Sequence, residues 1–176
     1  MKSDVVLIDT LGNGFEDAVT QTRKTAAFTD LGGQDSTYLQ LMTEEMLSLV
    51  RIVTGENQMS FWLECEDGEF RLHLSTKTIM DKEKRYLLIS SSSSRKNDAA
   101  RSLLGKLRDK FEEAMLADVD HSDDIPLDVQ QDVFYHAQED PEWDRYERSV
   151  LRKLADDIRI SIRGRHVDMT VSKRFA

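Results

Sequence analysis

Residues 35–56, DSTYLQLMTEEMLSLVRIVTGE, form the longest apolar-periodic stretch of the chain and constrain its fold more than any other segment. Asp35 or Ser36 can accept a hydrogen bond from a first-turn N–H, and Gly55 supplies the left-handed residue that ends a helix, so the spacing predicts a helix over 37–54. Leu39, Met42, Met46, Leu49, Val50 and Val53 fall on one stripe, and Leu41, Leu47 and Ile52 make its flanks apolar, the pattern of a helix covered on more than one side. Glu44 and Glu45 stand out against that background. Burying an unpaired carboxylate is costly, so one of the two is expected to face solvent or a cleft.

The segments on either side fall into place around this helix. Asp4–Asp9 is a short β-branched strand followed by turn residues Leu11-Gly12-Asn13-Gly14, and the spacing of Phe15, Ala18, Val19, Thr22 and Ala26 predicts a helix over 15–28. After Gly55 the period changes to two. Residues 59–65 and 70–78 alternate about Glu66-Asp67-Gly68-Glu69, an antiparallel hairpin with an Asp-Gly turn. Asp81 can cap a helix running to Ile89, with a strand over 86–89 as the alternative. Ser90–Asn97, SSSSSRKN, reads as a flexible polar linker or, alternatively, as an anion-binding loop. In that second reading the serine hydroxyls, Arg95, Lys96 and the next helix N-terminus would meet a phosphate. Amphipathic spacing predicts a helix over 98–118 and a narrower one over 127–138, and Asp140-Pro141-Glu142 opens a helix carried to Ala155. Ile158, Ile160 and Ile162, then Val167, Met169 and Val171, alternate about Arg163-Gly164-Arg165 as a second hairpin. The expected fold is α+β: a two-layer sandwich with a mixed, mostly antiparallel five-stranded sheet and helices on one face, forming a single domain over 1–176.

Composition narrows the function classes. The net charge is −9 with a pI near 5.0, which disfavours nucleic acid as a partner. No apolar run is long enough for a membrane span or a secretion signal, so a cytoplasmic chain is expected. Cys65 alone excludes an internal disulfide and sits in an alternating strand pattern as a small hydrophobe. His73, His121, His136 and His166 have no partner at metal-ligand spacing, so no metal site is expected.

Residues 26–50, AAFTDLGGQDSTYLQLMTEEMLSLV, resemble the N-terminal part of the histidine-kinase-like (GHKL) ATPase domain, closest to the bacterial anti-sigma-factor serine kinase branch. Residues 154–175, LADDIRISIRGRHVDMTVSKRF, are similar to the end of that domain, where a helix leads into a final hairpin. The resemblance implies a histidine-kinase-ATPase-like domain in which residues 81–140 form an atypical helical insert in the place of the nucleotide lid. The family's core helix carries Glu-x-x-x-Asn, the acid as catalytic base and the Asn on magnesium. Aligning the helices puts Glu44 at the base and Ser48 at the Asn. The family's Asp-x-Gly-x-Gly, which reads adenine, falls on Leu74-Ser75-Thr76-Lys77-Thr78, which has neither the acid nor the glycines.

Two readings follow from the resemblance. The first is a regulatory protein with degenerate nucleotide motifs, acting by contact with a sigma factor or an anti-anti-sigma type domain, in the manner of an anti-sigma factor. The second is an ATP-binding serine/threonine kinase with magnesium as its metal. It would use Glu44 as base, Ser48 toward the metal, Ser75, Thr76 and Thr170 along the pocket, and Arg95 and Lys96 on phosphate. A homodimer is compatible with either. A structural adaptor unrelated to nucleotide is the third class, because a fold does not fix a function.

Overall fold

The computed structural model describes residues 1–55, 57–100, 110, 112–113, 116 and 150–175. Its elements in chain order are β1 (Val6–Ile8), α1 (Phe15–Phe28), α2 (Gly33–Thr54), β2 (Met59–Glu66), β3 (Glu69–Lys77), α3 (Lys82–Ser91), a 3₁₀ turn at Asp98–Ala100, α4 (Val150–Leu154), β4 (Asp157–Arg163) and β5 (His166–Arg174). The helices expected over 127–138 and at the start of 140–155 lie outside the described residues. Of the helix expected over 98–118, only the 3₁₀ turn and the helical residues Lys110, Glu112, Glu113 and Leu116 are described.

The five strands form one sheet in the order β1-β2-β3-β5-β4. Every described pairing is antiparallel, which meets the expectation of a mostly antiparallel five-stranded sheet, with no parallel pair among the described strands. Register follows from the two tight turns. Asp67 and Gly68 both adopt positive φ, which places Trp62 opposite His73, and the Gly164 turn places Ile160 opposite Met169. The alternation then divides the residues between faces. Phe61, Leu63, Phe70, Leu72, Leu74, Ile160, Val167, Met169 and Val171 are buried. They pack with Leu39, Met42, Met46, Leu47 and Val50 of α2, Ala18 and Ala26 of α1, Leu88 of α3 and Leu151 of α4 in one core. The result is a two-layer α+β sandwich with the helices against one face of the sheet.

Two sequence expectations are corrected. Helix α2 begins at Gly33, with Gly32 as the extended N-cap and no side-chain cap, so neither Asp35 nor Ser36 is the cap. Asp35 lies inside the first turn, where its carboxylate faces the positive end of the helix dipole. The Ser-rich segment is no free linker either. Ser90 and Ser91 complete α3, whose N-cap Asp81 accepts from Lys84 N–H at 2.8 Å. The remainder runs along the outer edge of β4. Ser93 N–H donates to the Ile158 carbonyl and Ser93 Oγ accepts from Ile158 N–H, both at 2.8 Å, while Asn97 bonds Ile162 through its side chain. A loop that satisfies these edge groups blocks strand addition there.

Helix α1 lies along α2 through small side chains. Thr22 and Thr43 meet with their hydroxyl oxygens 3.0 Å apart in the buried seam, and Thr43 also donates to the Leu39 carbonyl at 3.1 Å. Thr22 has the matching acceptor in the Ala18 carbonyl at 2.9 Å, and each hydroxyl has one proton, so whichever threonine donates across the seam leaves its own helix carbonyl.

Candidate functional site

The core residues of α2 leave a narrow strip of the helix in water. Thr37, Glu44, Ser48 and Ile52 are exposed, Ile52 at 64 %, and Leu41 is half-buried between them. These positions recur every three or four residues, so they form one line about 22 Å long at 1.5 Å per residue. Glu44 and Ser48 are one turn apart on it. Among the described residues no cation pairs with Glu44, so neither Arg51, Lys24 nor Arg23 neutralises it. Phe28, at the α1 end beside the start of α2, is 83 % exposed. An unpaired carboxylate, a hydroxyl and the exposed Ile52 side chain thus share one line of α2, with Phe28 exposed at the end of α1.

The other sequence-predicted site residues are scattered. Thr76 is buried on the helix side of the sheet, and its hydroxyl donates to the Gln58 carbonyl at 2.8 Å. Ser75 and Thr170 lie on the opposite face, with the whole sheet between them and α2. The Ser75 hydroxyl donates to Asp168 Oδ1 at 2.7 Å, and Thr170 Oγ1 is 3.2 Å from His73 Nδ1. Arg95 and Lys96 are exposed on the loop beside β4, Arg95 with φ +51°. The structure therefore brings Glu44 and Ser48 together, sets Ser75 and Thr170 on the other side of the sheet, and holds Arg95 and Lys96 at its β4 edge.

Sequence reasoning missed a polar cluster on that opposite face. Trp62 stacks on His73 with ring centroids 5.0 Å apart and planes 8° from parallel. Lys2 Nζ sits over the same ring, 5.4 Å from its centroid, and 3.2 Å from Glu64 Oε1. His73 Nε2 is 3.5 Å from Glu64 Oε2, beyond a good hydrogen bond, and Trp62 Nε1 and His73 Nε2 are buried without a hydrogen-bond partner. Burial pushes the His73 imidazole down from its ordinary value, against the smaller opposing pull of Glu64. The Lys2 ammonium holds Glu64 below the usual carboxylate range. The signal was available in the sequence. The Asp-Gly hairpin turn fixes the register that places Trp62 across from His73.

No group of three or more His, Cys, Asp or Glu is placed to hold a metal ion among the described residues. No helix of those residues is long and apolar enough to cross a membrane. No protein-family model matches the chain, and no curated protein sequence matches it.

Proposed function

We propose that this chain is a regulatory protein that acts by protein contact, anti-sigma-like, through the exposed outer surface of α1 and α2. One observation carries the reading. Glu44, Ser48 and Ile52 line an exposed strip of a helix whose apolar residues are otherwise largely buried in the core, and Phe28 is exposed at the end of α1, while Ser75, Thr76 and Thr170 are committed to other hydrogen bonds. A helix face of that kind suits recognition by a partner groove or helix, with the apolar side chains as anchors and Glu44 as a charged rim. The partner class is a sigma factor or an anti-anti-sigma type domain.

A second reading draws on the same strip. Glu44 is unpaired and Ser48 lies one turn away, so a base and a weak metal ligand face one direction, as an ATP-dependent serine kinase needs. The missing adenine-reading acid at Leu74–Thr78 weighs against it. The helix-side residues present for such a site are Glu44 and Ser48. Magnesium-ATP would bring the phosphoryl group and its charge-neutralising ion, and Glu44 would accept the proton from an attacking hydroxyl.

Melting the protein with and without millimolar ATP and magnesium separates the two. A ligand at a hundred times its dissociation constant adds about 2.7 kcal/mol of stability. The contact reading expects no shift, together with measurable binding to a purified sigma factor or anti-anti-sigma domain that Ile52→Glu abolishes. A magnesium-dependent shift that Glu44→Ala or Ser48→Ala removes would instead establish the kinase reading.

A further inference from the structure

The charges of this chain are unevenly distributed along it. Residues 111–144 carry twelve Asp and Glu and no Lys or Arg, so the remainder holds 21 acids against 24 Lys and Arg. The sheet belongs to that cationic remainder, and it pairs its charges at one end only. At the Asp67-Gly68 end, Arg71 bonds Glu69 at 2.8 Å and lies 3.5 Å from Glu66, and Arg174 lies 3.6 Å from Glu69, its direct cross-strand neighbour. Arg159 and Lys173 are likewise matched by Asp157 and Asp156. At the other end, Lys77 stands opposite His166 and His166 opposite Arg163, with Arg165 in the turn. All four are exposed, and among the described residues no carboxylate pairs with Lys77, Arg163 or Arg165.

Lys77, Arg163 and Arg165 thus gather like charge at one end of the sheet, which is self-repelling. Lys96 and Arg95 add to it from the loop whose Asn97 is bonded to Ile162, the neighbour of Arg163. The same turn already receives one carboxylate. Gly164 N–H donates to Glu112 Oε2 at 3.1 Å, so the backbone between the two arginines is oriented for an anionic oxygen.

We propose that the β4–β5 end of the sheet, Lys77, Arg163, Arg165 and His166 with Lys96 beside them, is a docking surface for a carboxylate-rich peptide segment of a partner protein. Lys77 and Arg163 flank His166 from the two neighbouring strands, so their backbones stand two strand spacings, about 9.6 Å, apart, within reach of carboxylates on one extended segment, and the arginine forks match carboxylate oxygens two at a time. A short acidic segment stays within a Debye length of about 8 Å of these cations. A long polyphosphate is disfavoured by the chain's net charge of −9. This surface lies on the sheet, away from the α2 strip, and stands whether or not the α2 reading holds.

The test uses the full chain and a fluorescein-labelled ten-residue oligoglutamate, read by anisotropy at low and at physiological salt. Two charge-matched variants are compared: Arg163→Glu/Arg165→Glu at the sheet end, and Lys24→Glu/Lys153→Glu on exposed helix positions, each checked for native circular dichroism. Saturable binding that weakens about tenfold or more in the first variant and less than twofold in the second supports the surface. Absence of binding at low salt, or equal loss in both variants, overturns it. Tighter binding of a ten-residue single-stranded oligonucleotide than of the oligoglutamate at physiological salt also overturns it, because the surface would then select phosphate.

Discussion

Asn97 occupies the place of a sixth strand beside Ile162. Its Nδ2 donates to the Ile162 carbonyl at 3.0 Å and its Oδ1 accepts from the Ile162 N–H at 2.8 Å, so one side-chain amide makes both bonds of a ladder rung. Asn97 and Ile162 are both buried, at 5 % and 1 % exposure. Ser93 does the same at Ile158 with its backbone N–H and its hydroxyl, and Ser3 does it against Leu63 on the far side of the sheet, with both bonds at 2.9 Å.

Replacing Asn97 with Ala or Leu therefore leaves a buried N–H and a buried C=O of Ile162 without partners. Each orphaned group costs about 1–3 kcal/mol, so Asn97→Leu should lower unfolding stability by about 2–4 kcal/mol once partial hydration is allowed for. Asn97→Asp keeps the acceptor, loses the donor and adds a buried charge, and should be no better. Urea unfolding of the three proteins decides the matter, and a loss under 1 kcal/mol for Asn97→Leu would show that the rung is dispensable.

Gly14 closes the turn between β1 and α1 with φ +96°, and a Cβ built there would lie 2.2 Å from the Leu7 carbonyl oxygen. Backbone strain and the clash act together, because the Leu7 carbonyl cannot retreat without disturbing the β1–β2 pairing. Gly14→Ala should cost about 2 kcal/mol or more, whereas Gly32→Ala, which meets nothing within 4 Å, should change stability by less than about 1 kcal/mol. Thermal unfolding of the two single variants gives the comparison directly.

The hairpins and the long core helix were legible because their information is periodic. Phe61, Leu63, Leu72 and Leu74 alternate, the α2 apolar residues return every turn, and Asp67-Gly68 and Asp81 mark a turn and a cap that the structure uses. The Ser-rich loop was misread for the converse reason. Ser93 and Asn97 act through side-chain bonds to a strand 65 residues away, and such bonds leave no trace in hydrophobic spacing. The start of α2 was missed because Gly32 and Gly33 look like loop residues, yet Gly32 serves as the cap and Gly33 as the first helical residue. Of the candidate site, the adjacency of Glu44 and Ser48 follows from helical spacing alone. The separation of Ser75 from Thr76 follows from strand alternation, once both are placed in β3.

His73 gives the fold an acid-sensitive contribution. Burial holds its imidazole below the ordinary value, while the unfolded chain takes up a proton near pH 6.5. The unfolded state therefore binds the proton more readily, and stability rises with pH through this range. The contribution is fully present above about pH 6.5 and is lost as pH falls through the lower folded-state value. Protonation would also bring a cation toward Lys2 and Arg71, with Glu64 the opposing charge in contact among the described residues. Melting temperatures measured from pH 8 to pH 5 should fall less in His73→Phe, which keeps the stack on Trp62 without a titrating group. Parallel curves for both proteins would exclude His73 as the source.

The exposed strip of α2 makes the sharpest separation between folding and function. Ile52 is 64 % exposed and Glu44 is unpaired, so Ile52→Glu and Glu44→Arg touch no buried neighbour and should each shift unfolding stability by less than about 0.5 kcal/mol. Their neighbours Leu49 and Val53 face the core at 7 % and 5 % exposure, so Leu49→Ala should cost about 2–4 kcal/mol from the same helix. If the strip is a contact surface, the stability-neutral pair will lose partner affinity by tenfold or more. An apolar anchor at the centre of an interface is worth upward of about 1.4 kcal/mol, which is that factor. Titration of the wild-type chain and the two surface variants against the same purified partner, with urea unfolding in parallel, places each residue on one side of that division. Unchanged affinity in both variants would move the interaction surface off α2 altogether.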